Sequence, residues 1–344
     1  MNSNNIHIVF FSDTHLGYDF PIRPRVVKKR RGQDFFRNFE SVLSYTINNQ
    51  IDLIVHGGDL FFRHKVSEFI IDRVYQTLSD FAQYQIPFYI VPGNHERSEL
   101  PPSLFLKHPN INIFNQVKFF SVFHHDFRII LAGFPFIRKN IRGKFPNLME
   151  ELEWYKEKAD LKILIFHQAV EGATVGPENY RFRNSEDVIP LSLIPDDATA
   201  VLCGHIHRRQ ILTKGPNKIS HLIPVIFSGS TERTSFAEKD EKKGFYHLIF
   251  NKSERNNCLL RESRFIELPS RPMEDIYIES GLPAQNLESY LMDKIKEIDQ
   301  DSYIRLRSHK PITKDLAKQL TAVNLRKLLP TGMSFKFSSD FFAE

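Results

Sequence analysis

Hydrophobic and polar positions alternate along this chain in blocks. Residues 6–11, IHIVFF, form a run too apolar for a half-exposed strand and predict a buried one. From Asp34 to Asn48 the apolar residues Phe35, Phe36, Phe39, Val42, Leu43 and Ile47 fall at helical spacing. DLIV at 52–55 predicts a second short buried strand, ending at His56-Gly-Gly-Asp59. Phe69, Ile70, Val74, Leu78 and Phe81 predict a helix over 66–81, and Pro87 introduces the strand FYIV. The pattern then repeats: RIILAGF (128–134), a short helix carrying Leu148, Leu152 and Trp154, KILIF ending at His167, and AVLC ending at Gly204. Further strands are expected around 221–229 and 244–250. Strands alternating with helices, with more β structure later, predict a layered α/β architecture.

The pattern changes at Leu268-Pro-Ser-Arg-Pro272. Beyond it a strand (275–279), a helix (about 284–298), a strand (302–308) and a helix (about 313–329) are expected. This unit is too small to be an enzyme and reads as an accessory domain. The expected division is a domain over 1–268, a small α/β domain over 273–330, and a tail over 331–344. The tail's FKFSSDFF is aromatic, and either a docking strand or a packed edge is compatible with it.

Composition adds modest constraints. The chain has 344 residues, 41% hydrophobic and 25% charged, as in ordinary globular proteins. Its net charge of +5 does not by itself indicate nucleic acid. Cys203 and Cys258 are the only cysteines, with no CxxC pair, so neither a disulfide framework nor a thiolate zinc site is supported. Both read as small core residues. No secretory leader is visible, and no apolar run reaches the roughly 18 residues that span a bilayer. A soluble cytoplasmic protein is the simplest expectation.

Candidate chemistry sits at the carboxyl ends of the predicted strands. Asp13 and His15 follow the first, Asp59 the second, Asn94 and His95 the third, then His167, then His205 and His207. Open α/β sheets place their sites in the crevice at those ends. Taken singly, Asp-x-His or Gly-Asp is a weak signal, and a lone His167 reads as a core histidine. Five turns bearing these residues in this order are hard to explain as unrelated. Carboxylate, carboxamide and imidazole donors suit manganese, iron or zinc. So many donors exceed one tetrahedral ion but suit two ions sharing a carboxylate, about 3.5–4 Å apart, as in in-line phosphoester hydrolysis.

FSDTHLG, HGGDLF, PGNHE, FHQ and GHIH, in this order, resemble the calcineurin-like metallophosphoesterases over about residues 6–250. The resemblance implies a layered β-sandwich flanked by helices and two divalent ions, with manganese expected. It assigns Asp13, His15, Asp59 and His207 to one ion and Asp59, Asn94, His167 and His205 to the other, with Asp59 bridging. His95 would sit over the scissile phosphate, and Glu96 would either orient or charge-tune it or simply face solvent. A second, looser resemblance links DTHLGY, GDLF and FHQAVEGATVG to the SbcD-type nucleases of double-strand-break repair, whose small capping domain the C-terminal unit resembles. It implies exonuclease and single-strand endonuclease activity on DNA, a homodimer through helices of the first domain (Phe69, Ile70 and Tyr75 being one candidate face, which core packing explains as well), and an SbcC-type ATPase partner, although the helical segment by which that group docks on the ATPase is not found after the last expected helix. Where that group often carries a histidine after GDLF, this chain has Phe62, with His64 two residues on.

Charge placement adds independent support for DNA. Arg23, Arg25, Lys28, Lys29, Arg30 and Arg31 lie in the segment 23–31, which contains no acid and comes soon after the first candidate ligands. Arg208 and Arg209 follow GHIH, and Arg305 and Arg307 alternate with apolar residues on one strand face. Together they are candidate phosphate contacts, against the plainer reading of solvated charge. Two other functions remain open: a phosphoesterase for small phosphoesters, cyclic nucleotides or phosphoproteins, and a DNA-end-binding scaffold with an inert site.

Overall fold

The computed structural model describes residues 5–20, 31–104, 108–124, 127–214, 222–252 and 258–338. Among these, the predicted strands assemble into two six-stranded mixed sheets. The first runs in the order Cys258–Glu267, Gly244–Lys252, Asn5–Phe11, Leu53–His56, Phe88–Ile90, Ile111–Ile113. Its last four strands are mutually parallel, and Gly244–Lys252 runs antiparallel to Asn5–Phe11. The second runs Gln210–Lys214, Ile223–Phe227, Ala200–Cys203, Leu161–Phe166, Phe127–Phe134, Lys118–His124.

Strand periodicity explains the layering. Ile6, Ile8 and Phe10 point to one face of the first sheet, where they meet Leu131, Ile163, Ile165 and Leu202 of the second in one buried cluster. Phe11 points the other way, onto Phe39 of helix Gly32–Asn48, with ring centroids 6.1 Å apart. The far face of the second sheet packs on helix Ile141–Glu151 through Phe134, Phe166, Phe145 and Met149. Both cysteines are buried. No helix among the described residues is long and apolar enough to cross a membrane.

Several elements differ from expectation. Leu152 and Trp154 lie beyond the helix that ends at Glu151, although both are buried. The expected helix over 313–329 is two, Lys314–Gln319 and Ala322–Leu328, because the Thr321 hydroxyl accepts the Asn324 amide and caps a new start. Ser334–Phe337 pairs in parallel with Tyr303–Arg307, so this part of the tail is a sheet edge.

The chain forms two compact units. The first holds both large sheets. The second contains the residues from Ser270 onward together with Thr234–Asp240 and the flanks of the 19–31 segment. Its three-stranded parallel sheet buries Ile276, Ile304 and Leu306 against Leu291, Leu316 and Leu325 of its helices.

Candidate metal centre

Each candidate ligand sits in a turn at the end of a strand in the first unit. Four of them have left-handed backbones: Asp13 (φ 53°), His15 (45°), Asp59 (55°) and His205 (82°). A non-glycine residue adopts this conformation at a cost of about 1–3 kcal/mol, and only where its surroundings over-determine it. Here the first two loops are hydrogen-bonded together. The Asp13 amide donates to Gly58 O (2.8 Å), His15 to Asp59 O (3.0 Å) and Leu16 to Leu60 O (2.8 Å). The third loop approaches so closely that a Cβ on Gly93 would lie 2.1 Å from Asp59 Oδ1, which makes glycine obligatory there.

The side chains converge. His15 Nε2 is 2.9 Å from His207 Nε2, which is 3.8 Å from Asp13 Oδ1. His167 Nε2 is 3.0 Å from Asn94 Oδ1 and 3.2 Å from Asp59 Oδ2. His205 Nδ1 lies 2.8 Å from the same Asn94 oxygen. Asp13, His15, Asp59 and His167 are buried. The groups Asp13–His15–His207, His15–Asp59–His95 and Asp13–Asp59–His167 each bring their ligand atoms within 4.8 Å of one another.

The donor chemistry fits a divalent ion. His167 Nδ1 lies 2.8 Å from Gly57 O, a carbonyl that only accepts, so Nδ1–H is the donor. The neutral ring then turns an Nε2 lone pair toward Asn94 Oδ1 and Asp59 Oδ2. A divalent cation would satisfy all three of these acceptors in the buried site. A proton is the alternative: burial opposes the charged imidazole, yet Asp59 and Asp13 raise His167 to about 9. Burial alone would also raise Asp59, but the imidazoles of His167, His15 and His95 outweigh it and hold this carboxyl well below its usual range. Burial wins at Asp13, whose carboxyl is raised. Burial, the largest cause, lowers His205 to about 3, so its ring is neutral and can donate a lone pair.

His95 stands at the lip of this cluster. Its amide donates to Asp59 Oδ1 (2.9 Å), and its Nδ1–H donates to Phe62 O (2.6 Å). That bond fixes the tautomer and leaves Nε2 as the available nitrogen, 3.9 Å from Asp59 Oδ2 in a ring whose side chain is 33% exposed.

Residues 6–209 match the pattern of the calcineurin-like phosphoesterases. The chain belongs to this family. Among similar proteins, DNA double-strand break repair protein Mre11 of Methanosarcina mazei is 28% identical over 69% of this chain. The chain spans only 35% of that protein's length. The protein of the same name from Archaeoglobus fulgidus is 22% identical over 97% of this chain and 77% of its own length. A solved dimetal phosphatase from Danio rerio is 12% identical, with a TM-score of 0.47, over 74% of this chain and 98% of its own.

Two residues of the phosphoesterase site have roles that residue types did not reveal. Glu96 makes its contacts with backbone instead of tuning His95: Oε1 accepts the Phe61 amide (2.6 Å) and Oε2 the Gly93 amide (2.7 Å). It therefore ties the loop after Asp59 to the loop before Asn94. Burial, then the Asp59 charge, raises its carboxyl to about 8, against the two amide bonds. His56 accepts the Gly58 amide at Nδ1 (3.2 Å), and its Nε2–H faces Thr14 Oγ1 (3.0 Å). Thr14 in turn donates to Leu60 O (3.0 Å). Burial and His167 lower His56 to about 3, keeping it neutral. Its position ahead of Gly-Gly-Asp59 was the available signal.

The basic residues are corrected in part. Arg23, Arg25, Lys28, Lys29 and Arg30 lie outside the described residues. Arg31 is buried, with its guanidinium 5.1 Å from the Tyr303 ring centroid, so it is no open phosphate contact. Arg208 is engaged by Glu241, Asn179 and Gly176. Arg209 covers the Phe265 ring at 4.3 Å. Arg305 and Arg307 do share a strand face, since Ile304 and Leu306 are buried between and beside them. Arg305, however, is paired through two nitrogens with Asp275 (2.6 and 3.0 Å), and Arg307 donates to Tyr277 Oη (3.2 Å).

Proposed function

We propose that this phosphoesterase is a metal-dependent DNA nuclease that acts on ends and single strands in DNA repair. The observation that carries the reading is the convergence of seven donors on one crevice, with His95 Nε2 at its lip. The choice of DNA is supported by similarity along nearly the whole chain to a protein named for double-strand-break repair.

Asp13, His15, Asp59 and His207 would hold one ion and Asp59, Asn94, His167 and His205 the other, with manganese the preferred metal. Such a pair supplies water of lowered pKa and neutralises phosphate charge. The chain's own residues then do the rest. The buried carboxylates Asp13 and Asp59 fix the pair on rigid strand ends. Phe62 O holds His95 so that Nε2 meets the phosphate, where it stabilises charge or delivers a proton to the departing 3′ oxygen. A homodimer and an SbcC-type ATPase partner belong to the same reading. On helix Glu68–Ala82, Phe69 and Tyr75 are exposed, whereas Ile70 is buried in the core.

The test is incubation with end-labelled single- and double-stranded DNA and, separately, bis(4-nitrophenyl) phosphate, with manganese, magnesium or chelator. Manganese-dependent shortening of DNA is expected. Hydrolysis of the small diester without DNA cleavage would move the function to small phosphoesters. Metal-independent binding of DNA ends with neither activity would make the chain a scaffold.

A further inference from the structure

We infer that the short hairpin Thr174–Arg181 is a nucleotide-binding element, in which Tyr180 offers its ring as a stacking platform for an unpaired base beside the bond being cut. This rests on the DNA reading above and adds to it the side chain that receives the base.

The hairpin pairs Tyr180 with Val175 and Arg181 with Thr174 in antiparallel register. Its turn is closed by the Asn179 amide donating to Gly176 O (3.1 Å), with left-handed backbones at Gly176 (φ 70°) and Asn179 (φ 55°). So small a hairpin is marginal alone. This one is fixed to the segment that carries His205 and His207. Arg208, the residue after His207, donates Nη1–H to Asn179 Oδ1 (2.6 Å) and Nη2–H to Gly176 O (2.7 Å). Its Nε–H is held by Glu241 (2.8 Å). Gln210 grips the base of the hairpin, accepting the Thr174 amide (2.8 Å) and donating to Thr174 O (2.9 Å). The guanidinium expected to bind phosphate thus serves as a strut. It places the hairpin one side chain's length from a candidate ligand.

Tyr180 is 62% exposed on this fixed element. Its ring meets Phe182 edge-on, with centroids 5.5 Å apart, and Phe182 packs on the buried cluster of the second sheet. A held, exposed aromatic ring loses little further freedom when a base stacks on it. Charge does not explain the element, because Glu171 and Glu178 offset Arg181 and Arg183. A platform of this kind binds without counterion release, so its contribution is independent of salt. Only an unpaired base presents a free face, which restricts the partner to a single strand or a frayed end.

The experiment uses the full chain, its Tyr180→Ala, Tyr180→Phe and Tyr180→Trp variants, and a labelled single-stranded oligonucleotide. Binding is measured by anisotropy with calcium in place of manganese. Cleavage of the strand is compared with hydrolysis of bis(4-nitrophenyl) phosphate in manganese. Tyr180→Ala is expected to weaken strand binding by about tenfold, the lower part of the range for one stacked base. The factor should be the same at about 50 and 200 mM salt. The ratio of kcat/KM for the strand to that for the small diester should fall by a similar factor, with Phe and Trp restoring both. Strand binding by Tyr180→Ala equal to wild type overturns the inference, as does a deficit that disappears with salt. Equal loss on both substrates makes the hairpin merely structural and also overturns it. A wild-type chain that hydrolyses the diester but neither binds nor cuts the strand refutes the DNA reading, and this inference with it.

Discussion

Glu96 holds two catalytic loops through one carboxylate, and this contact is the sharpest test at the scale of single residues. In Glu96→Gln one oxygen is replaced by an NH₂ that meets a backbone N–H, so either Phe61 or Gly93 loses its acceptor. Outer partners of metal ligands typically contribute about 10–100-fold in affinity. Calorimetric titration with manganese should show weakening of that order, with a thermal melt of the metal-free protein confirming that the variant folds. Unchanged affinity would mean that the loops hold their own shape. The candidate donors that the structure brings together were legible in the sequence because Asp, Asn and His at strand ends are chemically explicit. Glu96 and His56 were not, because their partners are backbone amides and a hydroxyl, which leave no mark in residue type.

At the level of elements, buried parallel strands such as Leu53–His56 and Leu161–Phe166 were legible because both faces are apolar. The edge strand Lys118–His124 was not, since its exposed and half-exposed residues give a weak pattern. Strands Asn5–Phe11 and Gly244–Lys252 bring together a further group with a pH consequence. His247 Nε2 lies 2.9 Å from His7 Nδ1, and His247 Nδ1 lies 3.0 Å from Tyr45 Oη. Burial, then the charges of His7 and Arg264, lowers His247 to about 4. Its unfolded value is 6.5. Between these values the unfolded chain takes up a proton that the folded chain does not, so stability falls as pH drops from about 6.5 to about 4. Asn at this position keeps a donor and an acceptor but cannot titrate. The melting temperature of metal-free His247→Asn should therefore decline less steeply across that window than wild type. Parallel declines would show that His247 contributes nothing to acid sensitivity.

Across the whole molecule, the second unit takes in Thr234–Asp240 as well as the residues from Ser270, and that inclusion was not legible. The contact that explains it is an ion pair: Lys239 reaches Asp275 at 3.1 Å, on the carboxylate that also holds Arg305. Burial would raise Asp275, but Arg305 and Lys239 hold it below its usual range. The order of charges along a sequence cannot show which cations are already paired. This is why the pairing of Arg208 with Glu241 and of Arg305 with Asp275 was not legible there. The central claim is that strand ends scattered from Asp13 to His207 build one two-ion site around Asp59. Anomalous diffraction from crystals of the protein grown with manganese tests it most directly. Two peaks about 3.5–4 Å apart, both within bonding distance of Asp59, are expected. A single peak, or peaks that do not share Asp59, would contradict the account.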